Sequence, residues 1–231
     1  YVEEPVTPKF EVSQEEITNL PNYYYRVFYK QMNEMQFVSH LDIIRMIYNV
    51  LRASELPIVL TKGYNIHPLL RFGPPLPIGV QGRNEYFDLA MKDEFNPDHL
   101  LKALEKVMPE QLTLNEVSLI TNKKMLVMEY YKFEQLTIIP PKELEKQFEK
   151  YTNAFLESSE FKFTRIRKGK EKISDLKEII KEIQWDGSKL EIIKKIVGAS
   201  IFDVLREVYQ IEREETNNFV IIRNRLLEET Q

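Results

Sequence analysis

The sequence has no cysteine, three histidines and seven glycines in 231 residues. Without cysteine, the chain itself cannot form disulfides, thiolate zinc sites or iron–sulfur clusters, and cysteine nucleophiles are excluded. Long apolar runs are also missing, since no stretch of about 18 apolar residues occurs that could span a membrane. We therefore expect a cytoplasmic protein that holds no metal and no cofactor of its own.

An excess of positive charge is missing as well, because the net charge is −4. This balance excludes a uniformly basic protein that coats nucleic acid. Residues 1–22 carry five Glu, one Lys and three Pro, whereas residues 23–92 carry eight Lys or Arg and five Asp or Glu. We predict an acidic linker or arm over residues 1–22. Because the first residue is Tyr1 rather than Met, we expect the chain to be part of a longer polypeptide.

The apolar share of 43% is enough for a hydrophobic core. Apolar spacing over residues 23–122 predicts the order strand, helix, strand, strand, helix, strand, with a short strand at Ile58–Leu60. Residues 123–231 repeat this order, including a hairpin of Ile180–Trp185 and Lys189–Ile196 around an Asp-Gly turn. The sequence therefore predicts an α+β protein of two tandem ferredoxin-like (βαββαβ) units with antiparallel sheets.

The first candidate site is the predicted start of the first helix. Ser39 is the predicted N-cap, and Asp42 follows three residues later in a variant of the capping box. His40 would then lie beside free backbone N–H groups, where the helix dipole lowers the pKa of an imidazole and favours anions. The alternative is a surface histidine beside an ordinary cap.

The second candidate site is a loop rich in glycine and proline. Residues 63–82 hold four of the seven glycines and four of the twelve prolines. Such a rigid loop favours close backbone approach to a ligand, with Tyr64, His67 and Arg71 supplying stacking and charge. The alternative is a packing loop that covers one face of a sheet.

The third candidate is a basic run interleaved with phenylalanine, which suits RNA or another polyanion. The alternative is a solvated hairpin. Arg223 and Arg225 are expected on one face of the last strand, where they extend the basic surface or pair with glutamates. The predicted nucleic-acid patch consists of Lys162, Arg165, Arg167, Lys168, Lys170 and Lys172.

A metal site is not predicted, because His40, His67 and His99 have no spacing typical of metal ligands. Convergence of His40 and His67 with Asp42 or Glu85 is the alternative that the sequence leaves open. Phosphate-loop and dinucleotide-binding motifs are also missing.

Five motifs occur in order over the first part of the chain: Tyr25–Lys30, Phe37–Asp42 with Arg45, Gly63–Pro68, Phe72–Val80 and Glu85–Asp88. Together they resemble the radical SAM-associated domain of unknown function found in bacteria. The resemblance implies that a B12-binding-type radical SAM protein or domain is the partner and carries the iron–sulfur cluster. The two candidate sites and these motifs together give the ligand-binding candidates Ser39, His40, Asp42, Arg45, Lys62, Tyr64, Asn65, His67, Arg71 and Glu85.

These observations favour an accessory module that binds RNA or a nucleotide-like anion for a radical SAM system. The first alternative is a metal-independent endoribonuclease. There His40 and His67 would be general acid and base, with Lys30 or Arg71 stabilising the phosphate. The second alternative is a domain that docks onto a radical SAM partner through the loop at Tyr64.

Overall fold

A computed structural model of the chain describes residues 23–61, 66–127, 130–167 and 170–229, without the side chains of residues 166, 167 and 170. The predicted acidic arm over residues 1–22 lies outside the described residues. The helices are α1 (His40–Ala53), α2 (Pro97–Glu105), α3 (Glu145–Glu157), α4 (Leu176–Ile179) and α5 (Ile201–Tyr209). The strands are β1 (Tyr23–Gln31), β2 (Leu70–Phe72), β3 (Gln81–Met91), β4 (Leu112–Leu119), β5 (Tyr131–Ile139), β6 (Lys162–Arg167), β7 (Lys170–Asp175), β8 (Ile180–Trp185), β9 (Leu190–Lys195) and β10 (Val220–Glu228).

Most strands join one sheet in the order β4-β1-β3-β10-β5-β9-β8, and the short β2 pairs with β3. We call β1–β4 with their helices the first half and β5–β10 with theirs the second half. Neighbouring strands are antiparallel except β3 and β10, which pair in parallel at Gln81–Ile222 and Gly82–Arg223. This parallel pair is the seam between the halves. The hairpin β6–β7 forms a separate two-stranded sheet.

The longer helices pack on one face of the main sheet. In the first half, Ile43 and Ile47 of α1 and Leu100 of α2 share a core with alternate residues of β1 and β3. In the second half, apolar residues of α3 and α5 share another core with β5, β9 and β10. Because Glu85 of the first half and Arg223 of the second are bonded to each other, both helix layers lie on this same face.

The opposite, outer face of the sheet differs between the halves. In the first half, Leu126 and Met125 of the connecting segment pack over Tyr24 and Ala90. In the second half, alternate residues of β5, β9 and β10 line an open cleft. The same sheet therefore has an outer face that is covered on one side of the seam and open on the other.

The α+β class and the mostly antiparallel sheet predicted from the sequence are confirmed. The hairpin around Asp186 also forms, as β8 and β9. The strand predicted at Ile58–Leu60 is wrong, since Ile58 bridges Met91 of β3 whereas Leu60 bridges Pro68, so that each makes only an isolated bridge. The division at residue 122 stays a prediction. None of the helices in the described ranges is long and apolar enough to cross a membrane.

Candidate functional site

The start of α1 is capped as the sequence predicts. The Ser39 hydroxyl accepts a hydrogen bond from the backbone N–H of Asp42 at 3.2 Å and donates one to the Asp42 carboxylate at 2.6 Å. Arg45 binds the other oxygen of that carboxylate at 3.0 Å. The hydroxyl of Ser39, and then the Arg45 guanidinium, lower the pKa of Asp42. Because Asp42 and Arg45 are exposed, these local contacts leave both accessible to solvent.

Aromatic contacts connect the two candidate histidines. The His40 and Phe72 rings are perpendicular at a centroid distance of 6.0 Å, and the His67 ring lies 5.6 Å from the Tyr48 ring. Tyr48 and Phe72 are themselves 6.2 Å apart. We call His40, Phe72, Tyr48 and His67 the aromatic row. The structure therefore brings the helix start and the Gly/Pro-rich loop together.

The two ends of the aromatic row differ in their environment. Burial lowers the pKa of His40, and the positive charge of Arg223 lowers it further. A neutral imidazole can accept a proton near neutral pH, which is the property that a general base requires. His67 is exposed, and its backbone N–H donates to the Thr61 hydroxyl at 3.1 Å.

A buried charge network crosses the seam beside this row. Arg223 is 1% exposed, and its guanidinium binds both oxygens of Glu85 as well as Glu134 at 3.2 Å. Lys194 binds the other oxygen of Glu134 at 2.6 Å. Burial opposes the charge on Arg223, but the two carboxylates outweigh it and raise its pKa. Glu85, a predicted ligand residue, is therefore held by Arg223.

The Gly/Pro-rich loop is part of this network. Arg223 also donates to the carbonyl of Pro74 at 2.8 Å. A Cβ atom at Gly82 would lie 2.5 Å from the Glu85 side chain, and one at Gly73 would lie 2.8 Å from Tyr86. These two glycines make room for the protein's own side chains.

Arg71 lies away from the aromatic row. It is adjacent to Phe72 on β2, and successive side chains of a strand point to opposite faces. Its guanidinium lies 5.6 Å from the Tyr24 ring and donates to the carbonyl of Leu126 at 3.3 Å, both on the outer face. Arg71 therefore does not join His40 and His67. Lys62, Tyr64 and Asn65 lie outside the described residues.

The basic run forms the hairpin β6–β7, whose register places Arg165 opposite Lys172 and Arg167 opposite Lys170. Arg165 donates to the carbonyl of Gly198 at 3.0 Å, and Lys162 pairs with Glu160 at 2.7 Å. Glu160 accordingly raises the pKa of Lys162. Lys168 lies outside the described residues, as do the side chains of Arg167 and Lys170.

The expectation that Arg223 and Arg225 share a face is wrong. A β-bulge between them breaks the alternation, so that Arg223 is buried on the helix face while Arg225 is exposed and binds Gln135 at 2.8 Å. Among the described residues, no group of three His, Asp or Glu side chains is placed to hold a metal ion.

The model of one protein family, described as an uncharacterized protein conserved in bacteria (DUF2344), matches residues 24–217. The chain belongs to this family. Comparison with curated proteins finds no match.

The DUF2344 match contains the aromatic row and the hairpin β6–β7 but ends before β10. Arg223, which fixes Glu85 and the loop carbonyls, therefore lies outside the matched residues. Reasoning from the sequence missed Arg223, Glu134 and Lys194 as one network. The available signal was a charged residue at an inward position of each strand, where an apolar residue is typical.

Proposed function

We propose that this DUF2344 chain is an accessory module that binds RNA or a nucleotide-like anion and presents it to a radical SAM partner. The observation that carries the proposal is the register of β6–β7, which sets Arg165 opposite Lys172 and Arg167 opposite Lys170. Like charges directly opposite each other destabilise a strand pair. A phosphate chain that lies between them relieves this repulsion and releases counterions.

Binding of a labelled single-stranded RNA of mixed sequence tests this proposal. We expect binding that weakens steeply between about 50 and 200 mM salt. The double variant Arg165→Gln/Lys172→Gln should bind about tenfold more weakly, because it removes two cations that each contact a phosphate and release a counterion. Lys146→Gln/Lys150→Gln on α3 is the matched control, since both lysines are exposed and the charge change is the same. Equal affinities for the two double variants, or no salt-sensitive binding, would overturn the proposal.

The radical SAM partner follows from the resemblance of residues 25–88 to the radical SAM-associated domain. The motifs that carry this resemblance form the exposed start of α1 and the aromatic row, and these are the surfaces that would contact the partner. Co-expression of the chain with the radical SAM protein of the same organism should give a complex that co-elutes in gel filtration. Separate elution, with and without RNA, would argue against the partnership.

We further propose that each half is a ferredoxin-like unit. Support comes from the strand orders β4-β1-β3-β2 and β10-β5-β9-β8, which match when the strands of each half are numbered in sequence order and the hairpin β6–β7 is left aside. A crystal structure in which the two halves superpose strand for strand would test this assignment.

An endoribonuclease is the second candidate, and the aromatic row is the observation that favours it. One histidine would take the proton from a ribose 2′-hydroxyl as that oxygen attacks the adjacent phosphorus. The other would protonate the leaving 5′-oxygen, which leaves a 2′,3′-cyclic phosphate on the upstream fragment. Because Arg71 lies on the outer face, it does not stabilise the phosphate in this arrangement.

Cleavage of the same labelled RNA separates the two candidates. The endoribonuclease requires that His40→Ala and His67→Ala each lower the cleavage rate by about 100-fold or more. His99→Ala is the control, because His99 is exposed on α2. Undiminished cleavage by both variants, or no cleavage by the parent protein, would exclude the enzyme and leave the binding module.

A further inference from the structure

An open cleft of about 1120 Å³ extends over the outer face of the second half and around the edge strand β8 to Phe155 and Leu156 of α3. On the outer face, its floor is formed by residues of β5, β9 and β10. We call this surface the outer cleft. Six of its floor residues are Gln135, Thr137, Ile139, Glu191, Asn224 and Arg225.

The outer cleft is positively charged although the whole chain is negative. Five cationic and two anionic side chains line it, a balance of +3, against −4 for the chain. Such a separation of charge focuses a positive potential into a concave surface and attracts polyanions. The cations are Arg83, Lys177, Lys181, Lys189 and Arg225, and the anions are Glu182 and Glu191.

Hydrogen bonds orient the polar groups of the floor. The Thr137 hydroxyl accepts a hydrogen bond from the Asn224 amide at 2.7 Å and donates one to the Glu191 carboxylate at 3.0 Å. Arg225 donates to the side-chain oxygen of Gln135 at 2.8 Å. The amide NH₂ group of Gln135 can therefore bond to the edge of a nucleobase, and the amide oxygen of Asn224, which accepts from Arg83 at 3.4 Å, has a second lone pair for the same purpose.

We infer that a single strand of RNA binds along the outer cleft, continuing from the hairpin β6–β7. The inference rests on the proposed RNA binding and adds the path that the RNA follows over the protein surface. Asp175, the last residue of β7, accepts a hydrogen bond from the backbone N–H of Lys177 at 2.9 Å, and Lys177 lines the cleft. The basic hairpin and the cleft are thus adjacent along the chain and in space.

The chemistry of the cleft fits a single strand better than a duplex. Proteins recognise double-stranded RNA mainly through phosphates and 2′-hydroxyls, because its paired bases are not accessible. A single strand presents phosphates to the arginines and lysines and unpaired base edges to the amides. The apolar side chains of Ile139 and Ile193 offer surfaces for the faces of the bases.

The first arm of the test is a pair of matched charge variants of the full chain. Arg83→Ala/Arg225→Ala removes two cations from the outer cleft, and Lys102→Ala/Lys106→Ala removes two exposed cations from the helix side of the first half. With the labelled single-stranded RNA, the cleft variant should bind about tenfold more weakly, with a salt slope shallower by about 1.4. The control variant should bind as the parent does. A double-stranded RNA of the same sequence should bind more weakly than the single strand.

The second arm locates the RNA directly. A photo-crosslinking amino acid in place of Ile139, which is 40% exposed on the cleft floor, should crosslink to the RNA. The same amino acid in place of Gln111, exposed in the first half just before β4, should not. These variants change no charge, so a crosslink reports proximity rather than electrostatics.

The outcomes separate this inference from the proposed function. RNA binding that is weakened by Arg165→Gln/Lys172→Gln but not by the cleft variant, without a crosslink at Ile139, overturns the path through the cleft and leaves the hairpin as the binding site. Equal binding of duplex and single strand likewise overturns the assignment of a single strand. No RNA binding by the parent chain overturns the proposed function and the cleft with it.

Discussion

The two halves of the outer face of the sheet differ in whether their charged side chains are buried and paired or exposed. In the first half, the connecting segment covers the face, and Arg26 is completely buried against Asp88 at 2.7 Å. In the second half, no segment in the described ranges covers the face, and Arg225 is exposed and binds Gln135 at 2.8 Å. Both arginines project from strands to the same side of one sheet. The covering segment, rather than the strands, decides whether a charge must be paired.

The covered arginine shows how complete that pairing has to be. Arg26 donates two hydrogen bonds to Asp88, one to the Tyr131 hydroxyl and one to the carbonyl of Met125. The Tyr86 ring lies 4.0 Å from its guanidinium carbon. A buried charge without such partners would cost several kcal/mol.

Replacing each arginine by methionine is the strongest test of this contrast. Arg26→Met should lower the free energy of unfolding by about 3–5 kcal/mol, because the Asp88 charge is left buried and unpaired. Arg225→Met should change it by no more than about 0.5 kcal/mol, since that side chain is in water. Urea denaturation measures both, and similar losses for the two variants would contradict the comparison.

A second change weakens the covering segment itself. Leu126 is 8% exposed and packs on Tyr24 and Ala90, whereas the neighbouring Val127 is 50% exposed. Leu126→Ala should lower the free energy of unfolding by about 2 kcal/mol, through lost burial and the cavity that remains. Val127→Ala should lower it by less than about 0.5 kcal/mol. If thermal or urea denaturation gives equal losses, the segment does not stabilise the first half through Leu126.

Local patterns in the sequence predict local structure well in this protein. The Ser39–Asp42 cap and the Asp-Gly turn at Asp186 depend on a few adjacent residues, and both form. The sequence also allows the prediction that Arg71 and Phe72 point to opposite faces, because side chains alternate along any strand.

Long-range features of the same sequence were not predictable. Arg223 and Glu85 are 138 positions apart, and only the parallel pairing of β3 with β10 brings them together. The bulge between Arg223 and Arg225 leaves no mark in the apolar pattern. The sequence likewise does not indicate that residues 120–127 cover one outer face and leave the other open.

The smallest expected effect concerns two neighbouring tyrosines on β1. Tyr24 lies on the covered outer face with 3% exposure, and its hydroxyl has no hydrogen-bond partner among the described residues. Burial raises the pKa of this hydroxyl. The Tyr25 hydroxyl, on the helix face, accepts from the N–H of Phe95 at 2.7 Å and donates to its carbonyl at 2.8 Å.

The two Tyr→Phe variants should therefore differ in sign. Tyr24→Phe should raise the free energy of unfolding by about 1 kcal/mol, because a buried hydroxyl without a partner is removed. Tyr25→Phe should lower it by about 1 kcal/mol, since two bonds are lost and the backbone groups of Phe95 lose their partner. The two variants differ from the parent by one oxygen each, so denaturation curves under one condition compare them directly. If Tyr24→Phe is destabilising as well, the Tyr24 hydroxyl has a hydrogen-bond partner such as a buried water molecule. The expected difference in sign between the two variants is then contradicted.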